Sequence, residues 1–125
     1  MATRLQPDIC VIGGGSGGLS VAAAAASFGV EVVLIEKDRM GGDCLNYGCV
    51  PSKALIAAAR HAQAMREGSR FGIADEEPQV DFRKVNRHVR KVIEAIAPND
   101  SIERFTAMGV RVVKEHARFI DRRTV

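Results

Sequence analysis

Gly13, Gly15 and Gly18 stand between an apolar run, Ile9-Cys10-Val11-Ile12, and a small, Ala-rich stretch, Leu19 to Phe28. A G-x-G-x-x-G turn in that setting leaves the chain little choice. The first glycine permits the tight bend and the second lets backbone approach a pyrophosphate. The third allows the helix to pack near the strand, with its N-terminal amides aimed at the anion. The Ala-rich stretch favours helix, and Gly29 is placed to end it. Val30 to Ile35 is β-branched and apolar, a second strand closed by Glu36. A carboxylate at that strand end accepts hydrogen bonds from ribose hydroxyls and disfavours a 2′-phosphate, hence NADP, at this turn. Residues 8–36 therefore read as a complete βαβ unit with a right-handed crossover.

The rest of the chain bounds what this unit can serve. With 125 residues and 46% apolar content, the expectation is one domain with a real core. The longest nearly apolar stretch, Leu19 to Val30, is broken by Ser20, Ser27 and Gly29 and is too short for a bilayer. Arg4 is followed by Asp8 and an apolar run that ends in glycines, which is no secretory leader, so the expected compartment is the cytoplasm. Three cysteines do not make an extracellular disulfide framework. Basic residues outnumber acidic ones in residues 83–125, which invites a nucleic-acid reading. On a helix, however, Phe82, Val85, Val89, Val92, Ile93 and Ile96 form one stripe and Arg83, Lys84, Arg87, Arg90 and Lys91 the other side. That is a solvated face without interleaved aromatics, and no nucleic-acid partner is expected.

Residues 37–51 read as irregular, Pro51 as the start of a helix over Ser52 to Arg66, and residues 68–81 as a polar surface loop. The amphipathic helix Phe82 to Ala97 follows, broken by Pro98, then a short helix over Ser101 to Met108. Val110 to Val113 and Ala117 to Ile120 are short strand candidates. A buried parallel sheet normally has about five strands and both faces covered. Two strong and two weak candidates fall short, and Asp121 to Val125 reads like a turn into another strand, so part of a larger design is expected. Cys10, alternating with apolar neighbours, is expected in the core. His61, His88 and His116 are expected in surface or packing roles.

Cys44 and Cys49 lie in Gly41-Gly42-Asp43-Cys44-Leu45-Asn46-Tyr47-Gly48-Cys49-Val50-Pro51-Ser52-Lys53. Zinc would want a closer knuckle and further ligands, and only His61 is near. Two unpaired loop cysteines are the plain alternative. Lys53 and a helix N-terminus both lower a thiol pKa, which favours a redox pair.

Residues 41–53 resemble the active-site signature G-G-x-C-x-x-x-x-C-x-P-x-K of the flavin-dependent pyridine nucleotide-disulfide oxidoreductases, the family of dihydrolipoyl dehydrogenase, glutathione reductase and mercuric reductase. With the glycine turn and Ile35-Glu36-Lys37, the likeness is firm over roughly the first 55 residues. Further on, including Asp81-Phe82 and Gly109-Val110, it is looser. The resemblance implies an α/β, Rossmann-like FAD-binding domain, of which residues 1–125 are an N-terminal portion. It implies FAD held by Gly13, Gly15, Ser16, Gly17 and Gly18, with Glu36 on the adenosine ribose and Lys37 beside it. Gly42 and Asp43 would run along the cofactor and Lys53 near the flavin ring, with no resident metal. Cys49 would be the charge-transfer thiol next to the flavin and Cys44 the interchange thiol. Electrons would pass from NAD(P)H through FAD and the Cys44–Cys49 disulfide to a small-molecule disulfide or mercuric ion. Where the family commonly has Thr, this chain has Asp43, an extra carboxylate that weakens pyrophosphate binding unless it faces away. The family's nicotinamide fingerprint, and the acid–base His supplied across its homodimer, have no counterpart in residues 1–125. The chain is therefore expected to be inactive alone. The alternatives are a non-catalytic dinucleotide-binding module and a plain NAD-binding module with incidental cysteines.

Overall fold

The computed structural model describes residues 3–125, and its centre is a parallel sheet of three strands. β1 (Ile9–Ile12), β2 (Val32–Ile35) and β3 (Val110–Val113) lie in that order, in register from Ile9–Val32–Val110 to Ile12–Ile35–Val113. Between β1 and β2 runs α1 (Ser16–Ser27). Because all strands point one way, their carboxyl ends share one edge, where open α/β sheets bind ligands. The period-2 alternation sends Val11, Val32, Leu34 and Val110 to the α1 side. There they meet Leu19, Ala22 and Ala25 of α1 and Phe105, with Val32, Leu34 and Ala22 fully enclosed.

The other face is covered differently. Val33 on the central strand is buried, but on β1 Cys10 is exposed and Ile12 is 49% exposed. The expectation of a core Cys10 is thus corrected. Its neighbours in sequence are apolar, but among the described residues nothing packs over β1 on that side.

The expected irregular stretch after β2 contains a helix, α2 (Gly42–Asn46), and α3 (Cys49–Arg66) starts at Cys49, ahead of Pro51. Tertiary contact, not propensity, sets α2. Gly41 and Gly42 take left-handed φ of 90° and 58°, and the Gly41 N–H donates to the Gly14 carbonyl at 2.8 Å. Pro51 still falls in the first turn of α3, where no amide is needed. The polar 68–81 segment includes a single 3₁₀ turn, Gly68–Phe71.

The amphipathic helix is α4 (Phe82–Ile96), capped by Asp81, whose Oδ1 accepts the Arg83 N–H at 3.0 Å and the Lys84 N–H at 3.2 Å. Its apolar stripe packs on α3, with Val85, Val89, Val92, Ile93 and Ile96 half-buried and Phe82 exposed at its start. A 3₁₀ turn, Ala97–Asp100, carries Pro98. Then α5 (Ile102–Ala107), capped by Ser101, brings Phe105 under the sheet before β3. Ala117–Ile120 is not a strand. It has no strand neighbour, its Ile120 N–H turns to the Thr124 carbonyl at 3.0 Å, and Phe119 and Ile120 stay exposed. Among the described residues no helix is long and apolar enough to cross a membrane.

Candidate functional site

The glycine turn folds around absent side chains. A Cβ on Gly18 would collide with the Gly13 carbonyl oxygen, so only glycine lets α1 sit this close to β1. A Cβ on Gly42 would lie 2.7 Å from the Gly15 Cα, so α2 is seated directly on the turn. Around Gly13 and Gly17, by contrast, an added Cβ would meet nothing within 4 Å. The first amide to close onto α1 is that of Leu19, which donates to the Gly15 carbonyl at 2.9 Å. The amides of Ser16, Gly17 and Gly18 therefore precede the helical ladder, the standard anion-binding arrangement.

Glu36 closes the other end of this region. Its Oε2 accepts the Gly14 N–H at 2.6 Å and its Oε1 the Asp38 N–H at 2.7 Å, while the residue as a whole is buried. Burial pushes the carboxyl up. The two backbone donors and the nearby Lys114 and Lys37 charges outweigh that, leaving Glu36 below the ordinary carboxylate range. Each carboxylate oxygen keeps a lone pair free for a further donor. Beside it lies a cavity of about 200 Å3 lined by Gly13, Glu36, Lys37, Glu115, His116 and Ala117 among others. Residues 115–117 were missed in the sequence. The signal for them was their place just beyond the third parallel strand, on its carboxyl edge. His116 was expected only to pack or face solvent, and it lines this cavity.

The two cysteines come together. Cys44 sits in α2 beside buried Leu45, and Cys49 is the first residue of α3, both as free thiols. Gly48, which joins the helices, has no room for a side chain, since a Cβ would lie 2.9 Å from the Asp43 carbonyl oxygen. Hydrogen bonding to the Cys49 side chain, then burial and the charge of Cys49, hold the Cys44 thiol above the ordinary cysteine range. The Cys49 backbone N–H and the Lys53 charge oppose this without prevailing. Lys53 is exposed one helical turn past Cys49, close enough for its charge to reach Cys44.

Cys44 also opens onto a cleft of about 300 Å3 between α1, α2 and α5. Among the described residues, Asp43, exposed in the first turn of α2, bonds nothing with its side chain, whereas its carbonyl accepts the Tyr47 N–H at 2.9 Å. A groove of about 890 Å3 between α3 and α4 includes neither cysteine nor any glycine of the turn. Among the described residues no three His, Cys, Asp or Glu side chains converge as metal ligands.

A strand-turn-helix dinucleotide cradle with a thiol pair seated on it defines a class of redox protein. The family model described as pyridine nucleotide-disulphide oxidoreductase matches residues 7–125. The chain belongs to this family. Its relatives include the dihydrolipoyl dehydrogenase of Geobacillus stearothermophilus, 35% identical over 122 residues, which are 97% of this chain and 26% of that protein. That of Haloferax volcanii is 39% identical over 119 residues, 94% of this chain and 24% of the relative. One of Bacillus subtilis is 37% identical over 97 residues, 78% and 20% respectively. The chain thus spans about a quarter of the length of the curated relatives it matches.

Proposed function

We propose that this chain is the flavin- and disulfide-bearing part of an FAD-dependent disulfide oxidoreductase. The observation that carries the reading is the placing of Cys44 on the helix seated against the glycine turn and of Cys49 at the start of the next helix, joined by Gly48 where no side chain fits. The cradle suits FAD. The free α1 amides, with Ser16 and Gly17, would take the pyrophosphate, and the spare lone pairs of Glu36 would take ribose hydroxyls, with Lys37 alongside. Gly42, seated on Gly15, would run along the cofactor with Asp43, and Lys53 would lie near the flavin ring. FAD, when bound, supplies two-electron chemistry between NAD(P)H and the cysteine pair.

The protein's own part is to hold the two thiols on adjoining helix ends, Cys44 in α2 and Cys49 opening α3. Cys44 opens onto a cleft from which a disulfide can approach, which suits the interchange thiol. Cys49 stands at a helix N-terminus, where the dipole favours negative charge. NAD(P)H binding, and the acid–base group of a homodimeric partner, belong to parts of the protein beyond these residues. A cytoplasmic setting, which keeps thiols reducible, is part of the same proposal. The substrate class is a small-molecule disulfide or mercuric ion.

The test is to add FAD and NAD separately to the purified chain and measure the melting temperature. FAD is expected to raise it, because ligands that bind only the folded state stabilise it. A rise with NAD and none with FAD would establish the plain NAD module instead.

A further inference from the structure

Asn46 ends α2, between the two cysteines, yet no step of the thiol chemistry involves it. Its half-buried side-chain amide donates to two carbonyls, that of Gly42 at 2.9 Å and that of Met40 at 3.2 Å. Both Nδ2 hydrogens are thereby used. Among the described residues no backbone N–H reaches the Met40 carbonyl, which leaves Asn46 as its donor. The bonds to Met40 and Gly42 close the bend made by Gly41 and Gly42, whose φ values of 90° and 58° are left-handed. A helix of five residues does not hold such a geometry by itself. On its far side the bend is tied to the sheet. The Gly41 N–H donates to the Gly14 carbonyl at 2.8 Å, and Met40 packs against the core under α1. Cys44 lies inside the loop that the Asn46 amide closes.

We propose that Asn46 is a positioning residue for the redox pair. Its amide locks residues 40–46 onto the glycine turn and so fixes where Cys44 stands for exchange with Cys49. This rests on the reading of Cys44 and Cys49 as an exchanging pair. Helix propensity and the amide clamp make opposite forecasts for one substitution. Alanine is a better helix former than asparagine, so propensity alone would have Asn46→Ala tighten α2. Loss of the clamp leaves the half-buried Met40 carbonyl without a donor and loosens α2, and with it the thiol pair.

The experiment equilibrates the chain carrying Cys10→Ser with mixtures of reduced and oxidised glutathione, alkylates free thiols and weighs the product. As the pair closes, the Cys44–Cys49 S–S bond forms and that of oxidised glutathione breaks. The dithiol loses two electrons and two protons, and two glutathione thiols carry them away. The mixture at half-oxidation gives the effective concentration of one cysteine at the other. Asn46→Ala is expected to lower it about tenfold, the scale of one net hydrogen bond. Asn46→Gln, which keeps both donors, should restore most of it. Val89→Ala, which weakens α4 without touching the bend, should leave it unchanged. Were Asn46→Ala unfolded by circular dichroism, Asn46→Asp, which keeps the shape without the donors, carries the same expectation. An unchanged or raised value without the amide, no recovery with Asn46→Gln, or an equal fall in Val89→Ala would overturn the proposal and leave the pair intact. No Cys44–Cys49 disulfide in the parent chain at any mixture would instead overturn the reading of the pair, and the proposal with it.

Discussion

Around the sheet, Val32, Leu34 and Ala22 are wholly enclosed, whereas none of the fifteen residues of α4 is buried. The sheet, α1 and α5 share one core, while α3 and α4 hold each other along half-buried stripes. The thiol pair straddles the seam between them. Cys44 rides on α2, whose Gly42 rests on the glycine turn, and Cys49 opens α3, which belongs to the helical pair. Local opening of the weaker region would therefore part the sulfurs while the sheet stayed folded.

The contrast breaks first at its strong side. Leu34→Ala is expected to lower the unfolding free energy by about 3–4 kcal/mol, but Val89→Ala on α4 by only about 1 kcal/mol. Urea denaturation of both variants checks this, and equal losses would erase the distinction. Gly42→Ala, at the seam, is expected to cost about 2–3 kcal/mol. It forces a Cβ to within 2.7 Å of the Gly15 Cα at a left-handed φ. In circular dichroism it should loosen the sheet's glycine turn and slow disulfide formation, which a change in α4 would not.

The smallest effect sharpens the picture of the turn itself. Glu36→Gln keeps the shape but loses the charge that two backbone donors favour, at an expected cost of about 1–2 kcal/mol near neutral pH. Since the folded-state pKa of Glu36 is depressed, its contribution is complete above the ordinary carboxylate range. It is lost as pH falls through the lowered folded value. Melting curves of the two proteins should converge on acidification, and a constant gap would mean that the charge does not matter.

Much of this was legible because glycine spacing and strand composition are local signals. Gly13, Gly15, Gly18 and the apolar runs on either side specify the βαβ unit, and the cysteine spacing marks the pair. What escaped depends on distant contacts. α2 is a five-residue helix opening on two glycines, with no propensity to announce it, and it exists because Gly42 can rest on Gly15. Ala117–Ile120 looks strand-like, but a strand needs a neighbour to bond. Cys10 has the surroundings in sequence of a core residue, yet what covers a sheet face is written elsewhere in a chain. His116 gave no periodic cue, and its place in the cavity follows only from where β3 ends.

The central claim is that Cys44 and Cys49, and not Cys10, form one exchangeable pair. Mild oxidation of the chain, alkylation of remaining thiols and tryptic mapping read it directly, since residues 40–53 fall in one peptide. The account predicts that peptide unalkylated and lighter by the two hydrogens of a disulfide, with Cys10 alkylated. Alkylation of both Cys44 and Cys49, or a link through Cys10, would contradict it.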